Sequence, residues 1–297
     1  MFKSGFVAIL GRPNVGKSTL LNALIGDKVS IISPIPQTTR HQIKGILNLE
    51  DVQVVFIDTP GMHYFNDELA QHLNTVAKSI IYGCDLILYV VDVTRNYGKE
   101  EERLMNIICN QDIKVIMVLN KVDKSEKFFN EYLSMWQKKI KGDKKKILLA
   151  YMPLSAKRGT NIDKLKEVLI GNIPEGPAYY DDKAVTDFPV KLRIADIIRE
   201  KLFLALKEEL PHAVAVSVEE INNKKNVVYI KANIYVRRKS QKMIVVGKKG
   251  ELLKHIGTLS RKEIETIYEK KVFLDIWVTI MEDWQKRPRI LKDLGYE

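Results

Sequence analysis

A chain of 297 residues allows about two domains, and its 45% hydrophobic content lets each of them bury a core. Charged residues make up 29%, and no apolar run approaches the ~18 residues of a membrane span, which excludes a largely disordered chain and a membrane-spanning one. The N-terminus lacks a signal-peptide pattern. Cys84 and Cys109 lie in apolar runs, so we expect a cytoplasmic protein with free thiols.

Short apolar runs alternate with helical patterns through residues 1–173. The predicted strands are Val7–Leu10, Ile43–Leu49 (the weakest), Val52–Ile57, Leu86–Val93, Val115–Leu119 and Ile147–Met152. The predicted helices are Ser18–Ile25, Glu68–Tyr82, Glu100–Asn110, Lys127–Lys141 and Asn161–Leu169. Strands separated by helix-length segments predict an α/β domain with a mostly parallel sheet and helices on both faces.

The pattern changes after a stretch rich in proline, residues 174–190, which is predicted to be a linker. Residues 191–297 then predict a second, α+β domain. Its predicted elements, in chain order, are a helix at Lys191–Lys207, strands at Ala213–Val218 and Val227–Val236, helices at Gln241–Val246 and Glu251–Tyr268, and a strand at Val272–Val278.

A phosphate-binding loop follows the first predicted strand and opens the first predicted helix. Its sequence matches G-x-x-x-x-G-K-[ST], in the strand–helix context that the motif requires. Glycines let several backbone N–H groups point at one phosphate chain, the lysine adds positive charge, and the serine hydroxyl is a hard ligand for Mg²⁺. The predicted phosphate-binding residues are Gly11, Arg12, Pro13, Asn14, Val15, Gly16, Lys17, Ser18 and Thr19.

Selection of guanine is predicted from the sequence N-K-V-D at residues 120–123, which ends the strand Val115–Leu119. The Asp123 carboxylate can accept hydrogen bonds from N1–H and the exocyclic amine of guanine, whereas adenine presents an acceptor at N1 and would leave the carboxylate unpaired. The predicted guanine site comprises Asn120, Lys121 and Asp123, with Ser155, Ala156 and Lys157 supplying a backbone N–H to guanine O6.

Two further elements predict a response to the γ-phosphate. Asp58 is expected to hold Mg²⁺ through water, and Gly61 to offer its N–H to the terminal phosphate. A threonine after the first helix is expected to bind Mg²⁺ only when the γ-phosphate is present, and Thr39 is favoured over Thr38. Lys17, Thr39 and Gly61 form the predicted catalytic and switch set.

The element D-T-P-G is followed by Met62, where many GTPases place a water-orienting glutamine. A methionine cannot polarise water, and no arginine finger is evident in the chain. The sequence therefore predicts slow intrinsic hydrolysis that a partner can stimulate. Similarity to potassium-stimulated GTPases suggests the hypothesis that Asn14 binds K⁺, which would replace the missing charge.

Basic residues are concentrated late in the chain. Residues 224–262 hold twelve Lys or Arg and one acid, Glu251, which favours either a nucleic-acid partner or a solvated face. Within this stretch the sequence G-K-K-G lies between two predicted helices and resembles the G-x-x-G loop of a KH domain, where glycines admit an RNA backbone and lysines meet its phosphates. The predicted RNA-binding residues are Gly247, Lys248, Lys249, Gly250, Arg237, Arg261, Ile244 and Ile256.

Taken together, the motifs resemble the Era family of bacterial GTPases over nearly the whole chain. They are G-R-P-N-V-G-K-S, P-Q-T-T-R-H at residues 36–41, D-T-P-G, N-K-V-D, S-A-K, V-G-K-K-G, and D-I-W-V followed by a late L-G-Y. The resemblance implies a type II KH fold and binding to the single-stranded 3′ end of the small-subunit ribosomal RNA. It also implies a role in maturation of the 30S precursor and some peripheral contact with the membrane. We expect the protein to be a monomer.

Three other interpretations remain open at this point. Asn120 and Asp123 argue against a P-loop ATPase or kinase. Intact Lys17 and Ser18 argue against an RNA scaffold that no longer hydrolyses nucleotide, although Met62 leaves room for one. A GTPase of tRNA modification can share the nucleotide motifs, but the KH-like segment argues against it.

Overall fold

The computed structural model describes residues 1–33, 43–58, 81–139, 148–206, 210–282, 284 and 294. These residues form two compact units. The first holds residues 1–30 together with the described residues between 43 and 187, and the second holds residues 31–33 together with the described residues from 188 onward. The predicted helix Glu68–Tyr82 lies almost wholly outside the described residues.

A six-stranded sheet forms the centre of the first unit, in the order β2-β3-β1-β4-β5-β6. All neighbouring strands are parallel except β2, which runs antiparallel to β3. Unbroken apolar runs form the central strands because both of their faces are buried. The strands are β1 Lys3–Leu10, β2 Ile43–Leu49, β3 Val52–Asp58, β4 Leu86–Asp92, β5 Lys114–Asn120 and β6 Leu148–Leu154.

Four described helices pack on this sheet. Along β4, Ile87, Tyr89 and Val91 share one apolar cluster with α2 and α3, which fixes the face that those two helices cover. Helix α1 contacts β2, β3 and α4. The helices are α1 Lys17–Ile25, α2 Lys99–Cys109, α3 Phe129–Lys139 and α4 Ile162–Asn172.

The carboxyl ends of the parallel strands meet at one edge of the sheet. Ile9 lies beside Asp58 in the register of β1 and β3. Asp92 lies beside Asn120, and Asn120 beside Leu154, in the registers of β4, β5 and β6. The phosphate loop, the magnesium aspartate and the guanine-recognition sequence therefore converge where open α/β sheets bind ligands.

Residues 174–187, called the connector below, pack on the sheet of the first unit. Gln53 in β3 accepts the backbone N–H groups of Tyr179 and Tyr180, at 2.7 and 2.9 Å. Further on, Ile46 in β2 donates its N–H to the carbonyl of Val185 at 2.9 Å. The predicted linker therefore runs along the sheet, which binds part of its polar backbone.

The second unit has a three-stranded sheet in the order β7-β8-β9, with β8 antiparallel to β7 and parallel to β9. On β8 the alternate residues Ile230, Ala232 and Ile234 are buried against the helices. The elements are α5 Val190–Ala205, a short α6 Leu210–Ala213, β7 Ala215–Asn223, β8 Val227–Val236, α7 Lys239–Val246, α8 Glu251–Tyr268 and β9 Lys271–Ile280. Within the described ranges, no helix combines the length and apolar character needed to cross a membrane.

Candidate functional sites

The two glycines of the phosphate loop are required by close backbone packing. A Cβ atom on Gly11 would lie 2.4 Å from the carbonyl oxygen of Val90. A Cβ on Gly16 would lie 2.4 Å from the Asn120 amide nitrogen, and Gly16 also has a φ of 103°. The loop can therefore curve tightly against β4 and β5 only because these two positions carry no side chain.

Lys17 lies inside this curve. Its ammonium donates to the backbone carbonyls of Gly11 and Arg12, at 2.9 and 3.0 Å, and the residue is only 6% exposed. Burial lowers the pKa of Lys17 to about 8, although the nearby Asp58 carboxylate acts in the opposite direction. A phosphate chain placed in the loop would supply the negative charge that this buried ammonium requires.

Two of the three residues predicted to hold Mg²⁺, Ser18 and Asp58, lie in contact, and the third, Thr39, is outside the described residues. The Ser18 hydroxyl donates to Asp58 Oδ2 at 2.8 Å, and the Ser30 hydroxyl reaches the same oxygen at 3.3 Å. Asp58 is fully buried at the end of β3. One hydroxyl and one carboxylate, both hard oxygen donors at the edge of the phosphate loop, fit a magnesium ion that completes its coordination with phosphate and water.

Arg12 lies in the phosphate loop, and its side chain is engaged outside that loop, while its predicted phosphate contact stays a prediction. It forms ion pairs with Glu100 and Glu101 at the start of α2, both at 2.6 Å. Glu101 is 2% exposed and also accepts the Tyr132 hydroxyl at 3.3 Å. The guanidinium thus anchors the loop to α2, and only the Arg12 backbone lines the phosphate side.

Asn120 holds three loops together. Its amide nitrogen donates to the carbonyl of Val15 at 2.8 Å, while its amide oxygen accepts the backbone N–H groups of Lys121 and Ala156, at 2.8 and 3.0 Å. The side chain is 2% exposed. The structure shows a buried amide that aligns the phosphate loop with both base-recognition segments. The predicted contact of Asn120 with guanine stays a prediction.

Lys121 links the base-recognition sequence to the phosphate loop and to Asp92 at the end of β4, a residue that sequence reasoning missed. Its ammonium donates to the Asn14 carbonyl at 2.5 Å and to Asp92 at 2.6 Å. Burial acts to raise the pKa of Asp92, but hydrogen bonds from Lys121 and Thr94 outweigh burial and lower it. The sequence did offer one indication of Asp92: the apolar strand β4 ends in this acid, at the same edge of the sheet as Asp58.

The surroundings of Asp123 favour the charged form of its carboxyl group, which accepts hydrogen bonds. A hydrogen bond from the Ser155 side chain lowers the pKa of its carboxyl group, with a smaller contribution from Arg158, 3.6 Å away. Ser155 is fully buried, whereas Lys157 is exposed beside it. The lowered pKa favours the charged carboxylate, which is the form that can accept two N–H groups of guanine.

Several predicted residues lie outside the described residues. They are Thr38, Thr39, Gly61 and Met62, together with the rest of the P-Q-T-T-R-H element and all of D-T-P-G except Asp58. Their roles in capping Mg²⁺, contacting the γ-phosphate and orienting water therefore stay predictions.

The G-K-K-G sequence forms a tight exposed loop between α7 and α8. Lys248 and Lys249 are exposed, and the chain has positive φ at Gly247 (74°), Lys249 (51°) and Gly250 (79°). A Cβ on Gly247 would lie 2.8 Å from Leu252 Cβ, whereas a Cβ on Gly250 would meet nothing within 4 Å. Gly247 is thus needed by the fold, and Gly250 leaves open space beside the two lysines.

The residues predicted around this loop divide between surface and core. Ile244 is 49% exposed on α7, so it can line an RNA groove. The prediction for Ile256 was wrong, because this side chain is fully buried in the core beneath α8. Arg237 is half-buried before α7. Arg261 is exposed on α8, about 16 Å along the helix from Gly250 at 1.5 Å per residue.

The fold and the site define a P-loop GTPase with a second, KH-like unit. The family model described as "50S ribosome-binding GTPase" matches residues 6–121, and the model described as "KH domain" matches residues 209–285. These two matches correspond to the two units seen in the structure.

The chain belongs to the Era GTPase family. It is 42% identical to the GTPase Era of Halothermothrix orenii, over 100% of this chain and 99% of that protein. It is 43% identical to the GTPase Era of Geobacter sp. strain M21, over 100% of this chain and 98% of that protein. The protein is accordingly a GTP-hydrolysing enzyme, with a P-loop GTPase fold followed by a KH fold.

Two solved structures cover both units. A crystal structure of Era in complex with MgGDPNP and nucleotides 1506–1542 of 16S ribosomal RNA has a TM-score of 0.88 at 38% identity, covering 100% of this chain and 99% of that one. A variant of Aquifex aeolicus Era bound to GDP·AlF4⁻ has a TM-score of 0.88 at 37% identity, covering 99% of each chain.

Proposed function

We propose that this GTPase binds the 3′ end of the small-subunit ribosomal RNA, acts in assembly of the 30S subunit, and changes its affinity for RNA with its bound nucleotide. One observation carries the proposal: a single chain holds an ordered phosphate and guanine site in one unit and an exposed Lys248–Lys249 loop in the other. The related Era structure, which contains both a GTP analogue and 16S RNA, supports the same pairing of ligands.

Hydrolysis transfers the γ-phosphoryl group of GTP to water, which gives GDP and phosphate. Lys17 and the loop N–H groups would bind the phosphate oxygens, and Ser18 and Asp58 would hold Mg²⁺, which neutralises developing charge when bound. Arg12 is engaged by Glu100 and Glu101 and so leaves no arginine in the phosphate loop for catalysis. This supports a slow intrinsic rate that an external partner stimulates.

Potassium should accelerate hydrolysis if Asn14 contributes to a cation site. Asn14 has a left-handed backbone (φ 61°) within the loop, and its carbonyl is fixed by Lys121. A monovalent cation here would add positive charge beside the phosphate chain. We expect turnover in K⁺ to exceed turnover in Na⁺ at equal ionic strength, and Asn14→Ala to remove the difference. Equal turnover of the unmodified protein in the two salts would reject the cation site.

RNA binding can be tested at Gly250, where substitution is tolerated by the space around it. Asp and Asn are both compatible with positive φ, so Gly250→Asp and Gly250→Asn should fold alike. The carboxylate would repel a phosphate held by Lys248 and Lys249. We expect Gly250→Asp to weaken binding of a 3′-end ribosomal RNA fragment by about tenfold or more, and Gly250→Asn by much less.

The measurement is fluorescence anisotropy of the labelled fragment at two salt concentrations, with GDP and with a GTP analogue, beside a scrambled RNA of equal length. Equal loss in the two variants would mean that the loop shape, and not its charge, was disturbed. If fragment and scrambled RNA bind equally in both nucleotide states, the basic stretch acts only as a non-specific anion surface.

The proposal also covers the compartment in which the protein acts, its contact with a membrane and its partner. Cys109 is buried in the apolar cluster of the first unit and Cys84 packs against that cluster, and we place the protein in a reducing compartment such as the cytoplasm. The basic stretch at residues 224–262 would attract anionic lipid as well as RNA, so peripheral contact with a membrane is included in the proposal. A 30S precursor is the expected partner in this setting.

A further inference from the structure

The first turn of helix α2 carries three consecutive glutamates, and the middle one is buried. The side chains of Glu100 and Glu102 are 40% and 52% exposed, whereas Glu101 is 2% exposed. A carboxylate inside a protein is costly unless it is paired and hydrogen-bonded, so the surroundings of Glu101 must compensate for its burial.

The Glu101 carboxylate is held from the phosphate loop, from the start of α2 and from α3. Arg12 Nη1 donates to both of its oxygens, at 2.6 and 2.7 Å. The backbone N–H of Gly98 donates to Oε2 at 3.2 Å, and the Tyr132 hydroxyl donates to Oε1 at 3.3 Å. Burial raises the pKa of Tyr132, and the charge of Glu101 adds to this effect, so the hydroxyl keeps the proton that it donates.

Arg12, which binds Glu101 with its side chain, binds Lys17 with its main chain. The Arg12 carbonyl accepts the Lys17 ammonium at 3.0 Å, and the Gly11 carbonyl accepts it at 2.9 Å. A shift of the Arg12 main chain would therefore displace the acceptors that hold this buried ammonium.

The later part of the phosphate loop is fixed in a comparable way from the end of β5. Asn120 donates to the Val15 carbonyl at 2.8 Å, and Lys121 donates to the Asn14 carbonyl at 2.5 Å. Both residues belong to the guanine-recognition sequence, whereas Glu101 belongs to none of the nucleotide motifs. Helix α2 thus supports the start of the loop as the guanine-recognition sequence supports its end.

We infer that Glu101 is a positioning residue for GTP hydrolysis. It fixes Arg12, whose main chain helps to hold Lys17, and so it places the Lys17 ammonium against the phosphates. Negative charge develops on the transferred phosphoryl group in the transition state, and a displaced ammonium stabilises that charge less well. Binding of the nucleotide itself is shared among several N–H groups of the loop and depends less on this one position.

The test compares two substitutions in the same turn of α2. Glu101→Gln keeps the size of the side chain but removes the charge that pairs with Arg12. Glu102→Gln makes the same change at an exposed carboxylate, whose partner is Lys139 at 3.3 Å, and is the matched control. Single-turnover hydrolysis is measured on the full chain with Mg²⁺ and saturating GTP. Titration with GDP and a non-hydrolysable GTP analogue gives the affinities, and thermal melts verify folding.

We expect Glu101→Gln to slow single-turnover hydrolysis by about tenfold, because a small misplacement of a catalytic group costs that much or more in rate. The affinities for both nucleotides should change by less than about threefold, since the lost interaction is one that matters most in the transition state. Glu102→Gln should match the unmodified protein in rate and affinity. A merely structural role of Glu101 would lower the melting temperature and leave the rate of the nucleotide-saturated protein unchanged.

A second pair of variants tests whether Glu101 acts through Arg12. In an Arg12→Met background, Glu101→Gln should change the rate by less than about twofold, because two residues that act through one contact are not additive. Should Arg12→Met fail to fold, the comparison of Glu101→Gln with Glu102→Gln decides alone.

An unmodified rate in Glu101→Gln would overturn the inference, and so would an equal loss of rate in Glu102→Gln. A tenfold effect of Glu101→Gln that persists in the Arg12→Met background would show that Glu101 does not act through Arg12. A loss of nucleotide affinity as large as the loss of rate would assign Glu101 to nucleotide binding and not to positioning for hydrolysis.

Discussion

Replacing Asp123 by Asn should lower the affinity for GDP by about two to four orders of magnitude and make the protein prefer xanthosine diphosphate. The carboxylate is expected to accept two N–H groups of guanine, and each hydrogen bond to a charged group contributes about 1.5–3 kcal/mol. An asparagine amide would set its own NH₂ against the guanine amine. Xanthine carries a carbonyl oxygen at that position, which can accept the hydrogen bond.

Isothermal titration calorimetry with GDP, xanthosine diphosphate (XDP) and ADP measures the affinity of each variant for the three nucleotides. Asp163→Asn, an exposed carboxylate at the start of α4, is the matched control and should leave all three affinities unchanged. Affinity for GDP that survives in Asp123→Asn would show that the carboxylate does not contact the base. Equal loss for GDP and XDP would point to collapse of the loop that Ser155 and Arg158 support.

Affinity for GDP should fall as the pH rises above about 8, because Lys17 then loses its proton in the nucleotide-free protein. Burial holds the pKa of Lys17 near 8 in place of its ordinary 10.5. A bound phosphate chain favours the charged ammonium, so binding takes up a proton. Above pH 8 the affinity should decline by up to tenfold per pH unit, or about tenfold between pH 7 and pH 9.

The same shift has a defined consequence for stability. The folded pKa of Lys17 lies below its unfolded value, so the cost of burying the charged form is fully present below pH 8. This contribution makes the nucleotide-free protein more stable as the pH rises from about 8 toward 10.5.

Guanosine, which has no phosphate, is the control for titration of the base itself. A parallel decline for guanosine and GDP would assign the effect to guanine and not to Lys17.

Much of the nucleotide site could be predicted from sequence because its chemistry depends on short contiguous motifs. Gly11, Lys17, Ser18 and Asp58 come together because parallel strands end at one edge, which alternating strands and helices already imply. The family and both folds were likewise evident from the order of motifs, and the comparisons confirm them.

Pairings between distant charges could not be predicted in the same way. The phosphate-loop motif places Arg12 in the loop, but it could not indicate that the Arg12 side chain pairs with Glu101, 89 positions away. Asp92 lies within the predicted strand Leu86–Val93, and that pattern could not indicate its bond to Lys121, 29 positions away. Ile256 was predicted to bind RNA because it follows the G-K-K-G loop. Its side chain instead packs in the core, and this depends on how α8 packs, which the local sequence does not show.

The connector also determines where the nucleotide-binding unit ends. Thr186 forms an antiparallel bridge with Gly45, and its hydroxyl donates to the Lys44 carbonyl at 2.6 Å, so the connector covers the outer strand of the sheet. A truncated protein that stops at residue 173 would present an uncovered strand edge, which invites self-association. The smallest piece suited to independent study of nucleotide binding therefore extends to Asp187, where the contacts with β2 end.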